Sequence, residues 1–249
     1  MRFRVAIISA AVLAATLAST AASSSAAEPA FYECAKVAAG TGKFADKKCS
    51  KPGAGKTAKY ELKEGIGKGK PFKGKGGKAT LKTPTAGGEV ICGSNTDTGR
   101  LVNSTHAGGV VVTFAGCTSI GKKCATSGAK AGTIVTKPLQ GELGYVQKST
   151  KKVGVALKAE TGSVEAEFSC EGLAIVVTGG VIGEISPVNT FTKTANLAFT
   201  VTGSGFQSVT KLEGGATTVL EAEINGAGPF ESGLEATGTL KTEELEIKA

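Results

Sequence analysis

The feature that most constrains this chain is alternation. From residue 57 onward, short runs in which apolar and polar residues take turns are separated by Gly, Asn, Ser and Pro. Val164, Ala166, Phe168 and Cys170, for example, alternate with Glu165, Glu167, Ser169 and Glu171. A period of two places one set on the buried face of a strand and the other in water. Such runs are read at 57–63, 78–82, 89–93, 110–115, 133–136, 142–147, 153–159 and 164–171. Further runs fall at 173–178, 181–185, 195–202, 218–224, 234–240 and 245–247. Turn signals such as Gly179-Gly180, Pro187-Val188-Asn189 and Asn225-Gly226 punctuate them. No long window beyond the N-terminus carries helical periodicity with caps. The segment 240–249 is read as strand, with a short helix as its alternative because Glu243, Glu244 and Glu246 favour one.

About a dozen short strands at this spacing predict an all-β fold. The expected architecture is an antiparallel β-sandwich, since the strands read as short; a closed β-barrel is the alternative. No fixed long repeat occurs, which excludes a solenoid. A single domain is expected over 28–249, with a Gly/Lys-rich N-terminal part at about 36–82. Within it, 31–56 has little periodicity, and 64–78 reads as a mobile Gly-Lys loop.

The N-terminus reads as a signal peptide over 1–27. Arg2 and Arg4 precede an apolar run at 5–17, and Ser25-Ala26-Ala27 offers small side chains for cleavage after Ala27. The run is shorter than the roughly 20 apolar residues of a spanning helix, and no Cys precedes Cys34 to carry a lipid. A secreted, extracytoplasmic protein is expected, possessing no transmembrane segment after cleavage.

Six cysteines, Cys34, Cys49, Cys92, Cys117, Cys124 and Cys170, suit that compartment as disulfides. Zinc would call for closer Cys spacing or accompanying His, and the chain has one His. Strand phase puts Cys92 and Cys170 on buried faces, so a Cys92–Cys170 core bridge is expected. Local bridges Cys34–Cys49 and Cys117–Cys124 complete the set.

Charge is unevenly spread: net +9 over 28–82, +6 over 83–159 and −9 over 160–249. The Lys-rich N-terminal part is a candidate surface for an anionic envelope polymer. Specific nucleic-acid reading is not expected, because Arg100 is the one Arg after the signal peptide and few aromatics interleave the lysines.

Motifs for chemistry are sparse. Gly53-Ala54-Gly55-Lys56-Thr57 resembles the end of a P-loop, but Ser50 stands where the first Gly is required. Asn95-Thr96-Asp97-Thr98-Gly99 resembles a calcium loop in composition and is read as a turn. Asn103-Ser104-Thr105 fits a glycosylation acceptor. His106 could serve a Ser-His-Asp arrangement with Asp97 or Asp46, but no nucleophile-elbow spacing supports it, and it is read as an exposed loop residue. The pairs Glu165/Glu167 and Glu221/Glu223 could do glycosidic chemistry. Their alternation with apolar residues assigns them to the solvent face instead.

Three sets of segments go together: Phe114-Ala-Gly-Cys117; Gly132-Thr-Ile-Val-Thr136 with Leu139-Gln-Gly-Glu-Leu-Gly-Tyr145; and Phe168-Ser-Cys170 with Val181-Ile-Gly-Glu-Ile-Ser-Pro187-Val-Asn189. With these, the chain resembles a group of secreted actinobacterial six-cysteine all-β proteins over most of its mature length. The resemblance implies export and disulfides and carries no activity, ligand or catalytic residue. The expected function is therefore a non-enzymatic, envelope-associated binding or structural module without cofactor or metal. A β-barrel carrier of an apolar small ligand is the first alternative, and a Glu-dependent hydrolase the second.

Overall fold

The computed structural model describes residues 28–66 and 69–249; the signal peptide expected at 1–27 lies outside them. The described residues form β1 (Ala30–Lys36), β2 (Tyr60–Glu64), β3 (Lys70–Thr83), β4 (Gly88–Cys92), β5 (Ser94–Leu101), β6 (His106–Ala115), β7 (Thr118–Ser119), β8 (Lys122–Ala125) and β9 (Thr133–Val135). There follow β10 (Leu139–Gln147), β11 (Lys152–Ala159), β12 (Val164–Cys170), β13 (Leu173–Thr178), β14 (Val181–Ser186), β15 (Thr192–Phe199), β16 (Leu220–Ile224) and β17 (Ala227–Lys248). Helical structure among them is confined to three short 3-10 turns. All ladders between these strands are antiparallel, as the alternating sequence requires.

Many of these strands are segments of longer ones. β4 and β5 pair in one register along the whole of β3. β6 and β7 continue each other against β5 and β4. β8, β9 and β10 together flank β7 and β6, with 126–132 as an excursion. β11 and β12 face β14 and β13 as one long hairpin. β15 and β16 form one line against β17, interrupted by the excursion 200–219. The result is eight long staves: β3, β4–β5, β6–β7, β8–β10, β11–β12, β13–β14, β15–β16 and β17.

The staves close into a ring, because β17 also pairs with β3. A rung can be followed around it: Leu240 opposes Gly74, Gly74 opposes Asp97, and Asp97 opposes Val112. Val112 is hydrogen-bonded to Thr136, which bridges Ala166. Ala166 opposes Val177, Val177 opposes Ala222, and Ala222 opposes Phe230. The rung thus returns to β17 ten residues from where it began, the stagger that lets tilted strands close. Of the two arrangements expected for this antiparallel all-β chain, the pairings describe the closed one. Closure leaves none of the eight staves as an unpaired edge, which removes the template for aggregation that open sheets carry.

The stretch 64–78, expected as a mobile loop, contributes most of stave β3. Its Lys-Gly text is itself an alternation: Lys73 and Lys75 are exposed while Gly74 is buried. Glycine is required inside because polar side chains of β5 occupy the space a β-carbon would take. An ideal Cβ at Gly74 would collide with the Asp97 carboxylate, and one at Gly76 with the Asn95 amide. Likewise 95–99, expected as a turn, is strand β5, and the 240–249 segment is the end of the 22-residue β17. β1, within the region of little periodicity, pairs with β2 and with the end of β17. Residues 28–66 thereby cap one mouth of the ring, where Phe31 and Ile66 are buried beside Leu101, Leu143, Leu245 and Ile247.

At the other end stand four cysteines. Cys34–Cys49 staples the cap as expected, but the remaining bonds are Cys92–Cys117 and Cys124–Cys170. The phase argument for Cys92 and Cys170 is sound, since both are buried; what it lacks is register. Cys92 on β4 stands beside Cys117, at a Cα–Cα distance of 3.9 Å. Cys124 on β8 directly opposes Cys170 on β12, at 4.0 Å. The amide of Cys124 donates to the carbonyl of Cys117 at 3.0 Å, so all four occupy one rung across four staves. Cys92 and Cys170 are then three inter-strand spacings apart, about 14 Å along the wall, beyond the reach of a disulfide. The expected Cys92–Cys170 and Cys117–Cys124 pairs are replaced for that reason. Three disulfides agree with an oxidising, extracellular setting. No helix among the described residues is long and apolar enough to cross a membrane.

Candidate functional site: the barrel interior

The interior contains two apolar clusters. One surrounds the four-cysteine rung and includes Ile134, Phe168, Val177, Phe199 and Leu220. The other, toward the cap, includes Phe31, Phe72, Leu101, Leu139, Leu143 and Ile185. Between them the wall changes character. On β5, just after β9 and on β12, the inward positions at this level are Asn95, Asp97, Thr136 and Glu165. This polar waist is one-sided, for Val155 and Leu197 join the two clusters on the opposite wall.

A cavity of about 200 Å³ runs through both clusters and the waist. Its lining is dominated by Phe, Leu, Val, Ile and Ala, and includes Asp97 and Glu165 but no Lys, Arg or His among the described residues. Eight strands enclose an interior that side chains fill or that holds one small ligand. A cavity of about 150 Å³ lined by such side chains stays dry and takes up benzene.

The two carboxyls are the unusual features of this interior. Oδ1 of Asp97 and Oε1 of Glu165 are buried without a hydrogen-bond partner. Burial disfavours the charged form and pushes Asp97 up to about 6 and Glu165 up to about 7. Asp97 faces inward by strand phase and fits because Gly74 beside it is bare. Glu165 departs from phase. Alternation assigned it with Glu167 to solvent; Glu167 is exposed, but Glu165 is only 5% exposed. The ladder between β12 and β13 slips between Val164 and Ala166, and the resulting bulge turns both Glu165 and Ala166 inward. The backbone carbonyl of Glu165 accepts the Lys137 amide at 2.7 Å, which ties the bulge to the neighbouring stave.

The other residues considered from sequence lie elsewhere. His106 is half-buried at the start of β6, with Nδ1 2.8 Å from Thr105 Oγ1 and 3.2 Å from Asn103 Oδ1. It is not an exposed loop residue, and it does not line the cavity. Asn103 is exposed, its Oδ1 accepting the amides of Thr105 and His106 at 2.8 Å each. Asp46 belongs to the cap. Backbone amides of Lys51, Ser50 and Lys48 and the Ser50 hydroxyl donate to its carboxylate and hold it below its ordinary value. Asp46, Asp97 and His106 are therefore not brought together. Glu221 and Glu223 stand on β16, half-buried and exposed, outside the cavity lining. No group of three His, Cys, Asp or Glu side chains suited to a metal ion occurs among the described residues.

The fold brings part of the basic N-terminal third against the acidic C-terminal third. Lys-rich β3 lies beside Glu-rich β17, so Lys70 pairs with Glu243 and Lys82 with Glu235, while Lys70 also reaches Glu33 of β1. Lys48 of the cap reaches Glu244. One cross-strand pair goes the other way: Lys73 directly opposes Lys241, and Lys75 lies beside it on the same exposed face.

Comparison with protein-family models, with curated proteins and with solved structures finds no match. The functional reading therefore rests on the interior itself.

Proposed function

We propose that this protein is a non-enzymatic binding barrel, acting outside the cell, whose interior holds a small apolar molecule. The observation that carries this reading is the cavity of about 200 Å³ lined by Phe, Leu, Val and Ile side chains within a closed wall. A core built only for stability packs to crystal-like density with few voids larger than a water. Cavities forfeit contacts and cost stability in proportion to their size, so one of this volume has its most economical explanation in an occupant. The test is titration of the mature protein with toluene, followed by NMR. Saturable shifts of the methyl groups of Leu143, Val155 and Val177 are expected, and a spectrum unchanged up to the solubility limit of toluene would overturn the reading.

A second reading, contact between the outer surface and an anionic envelope polymer, is favoured by Lys73, Lys75 and Lys241. Like charges directly opposed across a ladder repel, and an anion laid over them relieves that repulsion. Salt-sensitive retention on an anionic polysaccharide column, weakened in Lys73→Glu/Lys75→Glu, supports this reading; equal elution of both proteins removes it.

A further inference from the structure

The apolar lining does not explain the waist. A cavity meant only for hydrocarbon has no use for acids, and burying an unpaired polar group is costly. Two are present, and the fold makes room for each. Gly74 clears the space that the Asp97 carboxyl occupies. The bulge at Val164/Ala166 brings Glu165 in from the face its phase would give it. Both side chains reach the same cavity and each keeps one oxygen without a partner. Their levels match, because Asp97, Val112, Thr136 and Ala166 follow one another along one rung and Glu165 adjoins Ala166. The Thr136 hydroxyl already accepts the amide of Val112 at 3.0 Å.

An occupant decides what becomes of these acids. An anionic head would bring like charge against two carboxyls with no Lys, Arg or His among the described residues of the lining to offset it. A plain hydrocarbon would leave both oxygens unsatisfied. A positively charged amino head supplies hydrogen-bond donors and the missing countercharge together, and charge-assisted bonds of this kind are the stronger class.

We propose that the interior selects small apolar molecules bearing an amino head, with the ammonium seated on Glu165 at the waist, Asp97 facing it on the same level, and the apolar body among the surrounding Phe and Leu side chains. This inference rests on the reading of the barrel as a container for an apolar ligand and adds the chemistry of the head. The raised acidities of both groups fit it, since an arriving ammonium would favour the ionised carboxylate and expel its proton to buffer.

The test compares four molecules with one ring and different heads: toluene, benzyl alcohol, benzylamine and benzoate. Each is titrated into the mature, disulfide-intact protein at pH 7.5, followed by NMR shifts and by calorimetry in two buffers of different ionisation enthalpy. Benzylamine is expected to bind at least tenfold more tightly than toluene, with proton release, and benzoate more weakly than toluene. In Glu165→Gln, which keeps the shape and removes the acid, the amine preference is expected to fall at least tenfold while toluene affinity is retained. Thermal unfolding of the variant, together with its retained toluene binding, establishes that the interior is intact. Binding of toluene and benzylamine with equal affinity overturns the inference and leaves the container reading standing. So does an amine preference that survives in Glu165→Gln/Asp97→Asn. Failure of all four molecules to bind overturns both.

Discussion

The carboxyl group of Asp97 occupies the place where a side chain at Gly74 would begin. The two residues oppose each other across the β3–β5 ladder, and both face inward, so the Asp97 carboxyl fits into the wall because the residue opposite it has no β-carbon. Gly74→Ala is expected to push Asp97 out of position and to cost about 1–3 kcal/mol, the range for overpacking a core. In an Asp97→Ser background the same change should cost less than about 1 kcal/mol. Urea unfolding of the four proteins measures the coupling; equal costs in both backgrounds would show that the two side chains do not compete for space.

The buried acids make stability depend on pH in a particular direction. Asp97 and Glu165 hold their protons more tightly folded than unfolded, with values pushed to about 6 and about 7. Their contribution is complete below the ordinary carboxylate range and is lost as pH rises through those values. For Glu165 alone, a value near 7 corresponds to about 3 kcal/mol lost between pH 4 and pH 8. Denaturant midpoints measured from pH 4 to pH 8 should therefore fall, and Glu165→Gln should flatten about half of that slope, leaving the share of Asp97, and be the more stable protein at pH 8. A wild-type midpoint that rises over this window would contradict the assignment of burial as the dominant influence.

Peptide mapping of the unreduced protein should yield Cys92 linked to Cys117 and Cys124 linked to Cys170. The second bond joins residues 46 apart, against 25 for the first, and the chain-entropy model gives about 4 and about 3.5 kcal/mol respectively. Cys124→Ala/Cys170→Ala is accordingly expected to lower the unfolding free energy slightly more than Cys92→Ala/Cys117→Ala. Recovery of a Cys92–Cys170 peptide from native protein would refute the register of this rung.

On the outside, Lys73→Glu should convert the repulsion with Lys241 into attraction. Cross-strand pairs of this kind contribute roughly 0.2–1 kcal/mol. The gain should appear in thermal unfolding at low ionic strength and shrink in high salt, where exposed charges are screened. A gain that is independent of salt would point to packing instead of charge.

Much of the wall is legible in the sequence because one face of it is apolar. Val181, Ile185 and Phe168 announce their strands through side chains that must leave water. The same logic fails where the inward residue is glycine: in Lys73-Gly74-Lys75-Gly76 the alternation is complete, but no hydrophobic side chain reports it. It fails again at 95–99, where Asn, Asp and Gly have the composition of a turn and the structure uses them as strand residues facing a polar waist. Glu165 is hidden for a further reason. A bulge inserts one residue and inverts phase locally, and nothing in Val164-Glu165-Ala166 marks where that occurs. The cysteine pairing shows the last limit, since phase tells which face a residue takes, whereas partners depend on the register between staves remote in sequence.

The rung of four cysteines has a mechanical consequence. Cys92–Cys117 and Cys124–Cys170 join the second stave to the third and the fourth to the fifth, and a single backbone hydrogen bond spans the gap between them. Tension applied around the hoop at that rim would be carried across two of its seams by covalent bonds. The seam between Cys117 and Cys124 is held by hydrogen bonds and by the turn of the β7–β8 hairpin, so two of the three seams among these four staves cannot part at this rim without breaking sulfur from sulfur. Under oxidising conditions opening of this rim is thus confined to the seams that no disulfide crosses.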